Sequence, residues 1–83
     1  MKKPRESTHF DKKFGLYVKK KRVEFRWSQV ELADKLGNNF QNISRLERGE
    51  ISPTFFWCYK LCTAFCIEMD ELVKEFEFNP KKL

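Results

Sequence analysis

The sequence predicts an all-α fold of five short helices, and three observations carry that prediction. No stretch sustains the apolar/polar alternation that marks a half-buried strand. Apolar residues recur instead at three- and four-residue intervals, and only three Gly and three Pro interrupt the chain. The 83 residues have room for one core at most, and a hydrophobic fraction of 41% with nine Phe, two Trp and two Tyr is enough to build it.

Residues 1–9 are polar and charged without periodicity, and are expected to form a flexible basic arm. The folded domain is expected over residues 10–78, followed by a short tail at 79–83. A first helix fits residues 10–25, where Phe10, Phe14, Tyr17 and Val18 share a face. The second has the clearest start: Ser28 and Glu31 make an S-x-x-E capping box, with Trp27 and Leu32 at the flanking hydrophobic-staple positions. That helix therefore starts at Gln29, buries Val30, Leu32, Ala33 and Leu36, and stops at Gly37, which tolerates positive φ.

A third helix follows at once, capped by Asn38 or Asn39 and running from Phe40 to Glu47. Only Ile43 and Leu46 give it a buried stripe. Its other positions, Gln41, Asn42, Ser44 and Arg45, are mostly uncharged and rich in donors and acceptors, which suits base edges better than a core. The run Ser52-Pro53-Thr54 predicts a fourth helix reaching Phe65, with Pro53 in the first turn, where its missing donor is not needed. A fifth is expected over residues 69–77, with Met69, Leu72, Val73 and Phe76 apolar and Glu68, Asp70 and Glu71 near its positive dipole end.

Charge is polarised along the chain. Residues 1–48 carry 13 Lys/Arg against 6 Asp/Glu, whereas residues 49–83 carry 4 against 6, within a net charge of +5. A basic half of this kind suits a phosphate-bearing partner, although a solvated basic tail would look the same. No apolar run has the length of a membrane span and no signal-type segment opens the chain, so a cytoplasmic location is expected. Three cysteines within nine residues, Cys58, Cys62 and Cys66, fit a reducing compartment better than a disulfide framework.

Two short helices joined by a tight Gly-containing turn, the second with a polar outer face, constitute a helix-turn-helix, in which the first helix props the second for entry into the major groove. Arg22, Ser28-Gln29, Leu32-Ala33, Leu36-Gly37, Ile43-Ser44, Leu46-Glu47-Arg48-Gly49, Pro53 and Asp70-Glu71-Leu72 fall in a continuous register. Over about residues 14–73 this register resembles the lambda-repressor-like (Xre or Cro type) family, members of which are the standard examples of this docking geometry.

The resemblance implies a compact five-helix domain that binds double-stranded operator DNA as a homodimer and regulates transcription, most simply by repression. It implies that Phe40, Gln41, Asn42, Ser44 and Arg45 face base edges. Gln would pair with adenine and Arg with guanine, each bidentate contact discriminating by about 1–3 kcal/mol, and Phe40 would pack on thymine methyl groups. It implies phosphate contacts from Gln29, Asn39 and Arg48, to which Lys2, Lys3 and Arg5 of the arm can add charge. Arg22 and Glu47 are implied as an ion pair tying the first helix to the end of the third. The chain departs from the family at Lys21 (usually apolar), Arg26 and Cys66 (usually Gly) and Glu68 (usually a Ser-type cap). These departures bear on helix ends rather than on groove-facing residues.

Phe56 and Trp57 fall where the family is often polar, and with Phe55 and Tyr59 beside them one face cannot hold every ring. Phe56, Trp57, Phe76 and Phe78 are therefore expected to build a two-fold interface, as in dimers that read half-sites about 34 Å apart, unless the C-terminal segment covers them within one chain. Three thiols on a straight helix are one ligand short of a closed zinc site, so packing is the expected role of the cysteines, and no metal or cofactor is expected. His9, in the polar arm, has no nucleophile placed beside it, and no enzyme is expected. A different class of function, a protein-interaction module such as an antitoxin binding its partner through the aromatic face of the fourth helix, fits the same residues.

Overall fold

The computed structural model describes residues 9–76. Among these the chain forms five helices and no strand: α1 (His9–Glu24), α2 (Gln29–Lys35), α3 (Phe40–Glu47), α4 (Phe55–Phe65) and α5 (Met69–Glu75). Lys2, Lys3, Arg5 and Phe78, most of the expected arm, and the tail at 79–83 lie outside the described residues.

Helix boundaries are set by side chains that satisfy free backbone donors. The Glu31 N–H donates to Ser28 Oγ at 3.0 Å and the Ser28 N–H donates to Glu31 Oε1 at 2.8 Å, so the capping box is complete. Of the two asparagines before α3, Asn39 is the cap: its Oδ1 accepts from the Asn42 N–H at 2.9 Å. Asn38 braces the same turn, its Oδ1 accepting from the Asn39 N–H and from Asn42 Nδ2, both at 2.8 Å. Thr54 caps α4 by accepting from the Trp57 N–H at 3.1 Å. Pro53 accordingly stands before the cap, not inside the first turn as the sequence suggested, because Thr54 supplies the capping hydroxyl one residue later.

At two positions a left-handed residue ends or follows a helix without being glycine: Arg26 has φ 60° and Cys66 has φ 57°. Both are family departures noted above. The helix ends form nonetheless, because the geometry costs an L-residue only about 1–2 kcal/mol and the packed helices on either side fix the turn. Gly37, at φ 64°, makes the corresponding stop after α2 without that cost. Glu68 precedes α5 with no side-chain cap bond, so the expected weakness there is real.

The core contains Phe14 and Val18 of α1, Leu32 and Ala33 of α2 with Leu36 at its C-cap, Ile43 and Leu46 of α3, Leu61, Cys62 and Phe65 of α4, and Leu72 of α5. Val30, expected inside, is exposed; it lies off the stripe formed by Leu32, Ala33 and Leu36. The α3 helix packs on both α1 and α2. The approach of α1 depends on Gly15, where a Cβ atom would lie 2.4 Å from the Leu46 carbonyl oxygen and 2.5 Å from that of Glu47. A second tie holds the start of α1: the Ser52 hydroxyl, just before α4, donates to the carboxylate of Asp11, which is buried.

Candidate nucleic-acid interface

The amphipathic pattern of α3 decides which way it faces. Ile43 and Leu46 are fully buried, whereas Phe40, Gln41 and Arg45 are exposed and Asn42 and Ser44 half-buried. The five residues expected to face bases therefore lie together along the side of α3 turned away from the core. Asn42 is the least free of them, since its Nδ2 is bound to Asn38.

Beneath this face lies a buried polar junction centred on Glu47. Arg22 Nε donates to Glu47 Oε2 at 2.7 Å, and Nη2 donates to Oε1 at 3.1 Å, which gives the bidentate geometry of a guanidinium on a carboxylate. Arg22 Nη1 donates to the Trp27 carbonyl at 2.8 Å, so one side chain joins α1, the entry to α2 and the end of α3. Gln29 Nε2 adds a third donor to the carboxylate, 3.0 Å from Oε1. The Gln29 side chain is thus oriented by the end of α3, and its remaining amide groups are directed from a fixed point.

The other expected phosphate ligands sit in different states. Asn39 is exposed, but its side-chain oxygen is engaged in capping. Arg48 donates through Nε to Glu50 Oε2 at 2.7 Å, through Nη2 to Glu50 Oε1 at 3.3 Å, and through Nη1 to Ser44 Oγ at 2.8 Å. The bond from Arg48 holds the Glu50 carboxyl below the usual carboxylate range, and the same bond raises Arg48. Sequence reasoning did not single out Glu50, Gly15 or Asp11, and read Ser52 only as part of a helix-start signal. Gly15 alone left a signal, since a glycine inside a helix weakens it and implies a close neighbour.

The aromatic residues divide between the chain's own packing and its surface. Phe76 is half-buried, with ring centroids 5.6, 5.5 and 5.4 Å from Phe10, Phe14 and Tyr17, and Trp57 is half-buried against the core. Both rings are therefore partly covered within their own chain, Phe76 by the rings of α1. Phe56 remains 60% exposed, with Lys60 Nζ 4.4 Å from its ring centroid. Among the described residues the most exposed ring is Phe55, at 78%. With Phe10, Phe14, Cys58, Met69, Leu72, Val73 and Phe76 it lines an apolar groove of about 350 Å³ between α1, α4 and α5.

Cys62 is buried and Cys58 half-buried against the core, as packing residues are, whereas Cys66 is exposed; all three are free thiols. Burial pushes the Cys58 and Cys62 thiols above their ordinary range. Among the described residues no cluster of His, Cys, Asp and Glu is arranged to hold a metal ion, and no helix is long and apolar enough to cross a membrane.

Comparison with known proteins places this arrangement. The family model described as Helix-turn-helix matches residues 18–72. The HTH-type transcriptional regulator YgzD of Bacillus subtilis (strain 168) is 31% identical over 55 residues, which cover 66% of this chain and 83% of the relative. The crystal structure of the restriction-modification controller protein C.AhdI from Aeromonas hydrophila superposes with a TM-score of 0.73 at 31% identity, covering 78% of this chain and 98% of the other. The clp gene regulator ClgR from Corynebacterium glutamicum shares the fold, with a TM-score of 0.74 at 18% identity over 84% of this chain and 74% of the other. Its relatives are regulators and not enzymes. The chain belongs to the lambda-repressor-like (Xre) branch of the helix-turn-helix family.

Proposed function

We propose that this protein is a sequence-specific transcriptional regulator, acting as a repressor, that inserts α3 into the major groove of a palindromic operator as a homodimer. The observation that carries the reading is the outward face of α3: exposed Phe40, Gln41 and Arg45 above fully buried Ile43 and Leu46. Amide and guanidinium tips held on a rigid element match the donor and acceptor pattern of base edges. The Arg22–Glu47–Gln29 junction fixes the element and directs Gln29 to a neighbouring phosphate. Asn39, Arg48 and the basic residues Lys2, Lys3 and Arg5 complete the backbone contacts. Likeness to an HTH-type transcriptional regulator and to a restriction-modification controller supports a regulatory role in the cytoplasm.

The homodimer uses the apolar surface around α4 and α5. Phe56 and the groove rimmed by Phe10, Phe55 and Val73 support it, because a contiguous apolar surface on a small domain marks an interface. Phe76 lines the same groove, Trp57 stands half-buried beside Phe56 in α4, and Phe78 follows Phe76 by two residues.

Binding to a random-sequence duplex over a range of salt concentrations tests the reading. Affinity is expected to fall steeply with salt, since each neutralised phosphate releases counterions. A flat salt response would remove DNA as the partner and leave the aromatic face of α4 as a site for another protein.

A further inference from the structure

The family resemblance implies a DNA phosphate as the partner of Arg48, yet its guanidinium is already engaged at its bidentate edge. Nε and Nη2 lie 2.7 and 3.3 Å from the two carboxylate oxygens of Glu50. That fork of donors matches two oxygens on a carboxylate or on a phosphate equally well, so the two anions compete for one set of N–H groups. We propose that Glu50 is an intramolecular stand-in for a DNA phosphate, held on Arg48 in the free protein and displaced by the backbone when α3 docks. The proposal rests on the DNA-binding reading and adds to it a residue that limits affinity.

Three features make the exchange feasible. The Arg48 and Glu50 side chains are 57% and 49% exposed, so the carboxylate can leave without disturbing the core. The Glu50 backbone is anchored to the end of α3, its N–H donating to the Arg45 carbonyl at 2.9 Å, so the competing charge stays at the base-facing helix. Arg48 Nη1 remains on Ser44 Oγ at 2.8 Å, which keeps the guanidinium in place while its other edge changes partner. Arg45, whose carbonyl accepts from the Glu50 N–H, also attracts the Glu50 carboxylate electrostatically.

The test compares wild type, Glu50→Gln, Arg48→Ala and the double variant by fluorescence anisotropy. Each is titrated with a random-sequence duplex and with a duplex selected by the wild type, at several salt concentrations. Glu50→Gln is expected to bind both duplexes roughly two- to fivefold more tightly, the range set by an exposed ion pair. The slope of log affinity against log salt should change little, because the same phosphates are neutralised in both proteins once the carboxylate has left. In the Arg48→Ala background the same substitution should change affinity little. A gain that persists without Arg48 would reduce Glu50 to a general negative field and overturn the proposal, as would weaker binding by Glu50→Gln. A wild type that shows no salt-dependent binding overturns the DNA reading itself, an outcome distinct from a salt-dependent wild type that gains nothing from Glu50→Gln.

Discussion

The Arg22 guanidinium and the Glu47 carboxylate meet at 2.7 Å across 25 residues of sequence, with side chains only 12% and 4% exposed. A pair so shielded adds little net stability when intact but is costly to halve, since the remaining charge loses its counterion while largely screened from water. Glu47→Ala is therefore expected to destabilise the domain by about 3 kcal/mol. Urea denaturation measures this directly. Replacing both residues with Met should recover much of the stability while DNA affinity stays low, because Gln29 loses its anchor; full recovery of binding would show that the junction has no positioning role.

Gly15 sits where α1 crosses the end of α3, and the atoms that a methyl group would meet are backbone carbonyls. They cannot swing aside as a flexible side chain would. Gly15→Ala should therefore cost about 2–3 kcal/mol through overpacking, against the gain of about 1 kcal/mol that Ala brings to an open helix site. Thermal or urea unfolding that shows a more stable variant would contradict the close crossing.

Arg26 and Cys66 occupy left-handed backbone that glycine adopts without strain. Both side chains are exposed, so little packing is lost on truncation. Arg26→Gly and Cys66→Gly should each stabilise the fold by about 0.5–1 kcal/mol, the strain relieved exceeding the added flexibility of the unfolded chain. Unchanged or lowered midpoints in denaturant would argue that the turns are relaxed as they stand.

Contacts to bases and to phosphates should separate in binding assays. Gln41→Ala and Arg45→Ala are expected to relax base preference at one position each, by about 1–3 kcal/mol of discrimination. Gln29→Ala should instead weaken all duplexes alike. Binding to a panel of single-base operator variants distinguishes the two patterns, and equal losses on every duplex from all three would refute the assignment of α3.

Phe55 and Val73 are 78% and 51% exposed at the rim of the apolar groove, so neither supports the core of its own chain. Phe55→Ser/Val73→Ser should shift the protein from dimer to monomer in sedimentation velocity while leaving its helical circular dichroism intact. Identical sedimentation of the double variant and the wild type would exclude this face as the dimer contact.

Much of the fold was legible because its determinants are local. The Ser28–Glu31 box, the Asn39 cap and the Gly37 stop each act within three or four residues, and the stripe of Ile43 and Leu46 sets which side of α3 is buried. The order of polar residues on α3 and the Arg22/Glu47 pair were likewise readable, the second only through family resemblance. Packing decided the rest. Asp11 and Ser52 are 41 positions apart, and no pattern in the sequence announces that their side chains meet. Phe76 and Phe55 look alike as residues, yet one closes over α1 and the other stands in solvent, because the crossing of α1, α4 and α5 leaves room for only some of the rings. The same holds for Arg48: the sequence provides a cation after α3, but only the turn that follows places Glu50 on its bidentate edge. Hydrogen bonds within a turn follow from spacing along the chain, whereas contacts between helices depend on crossing geometry that many distant side chains fix together.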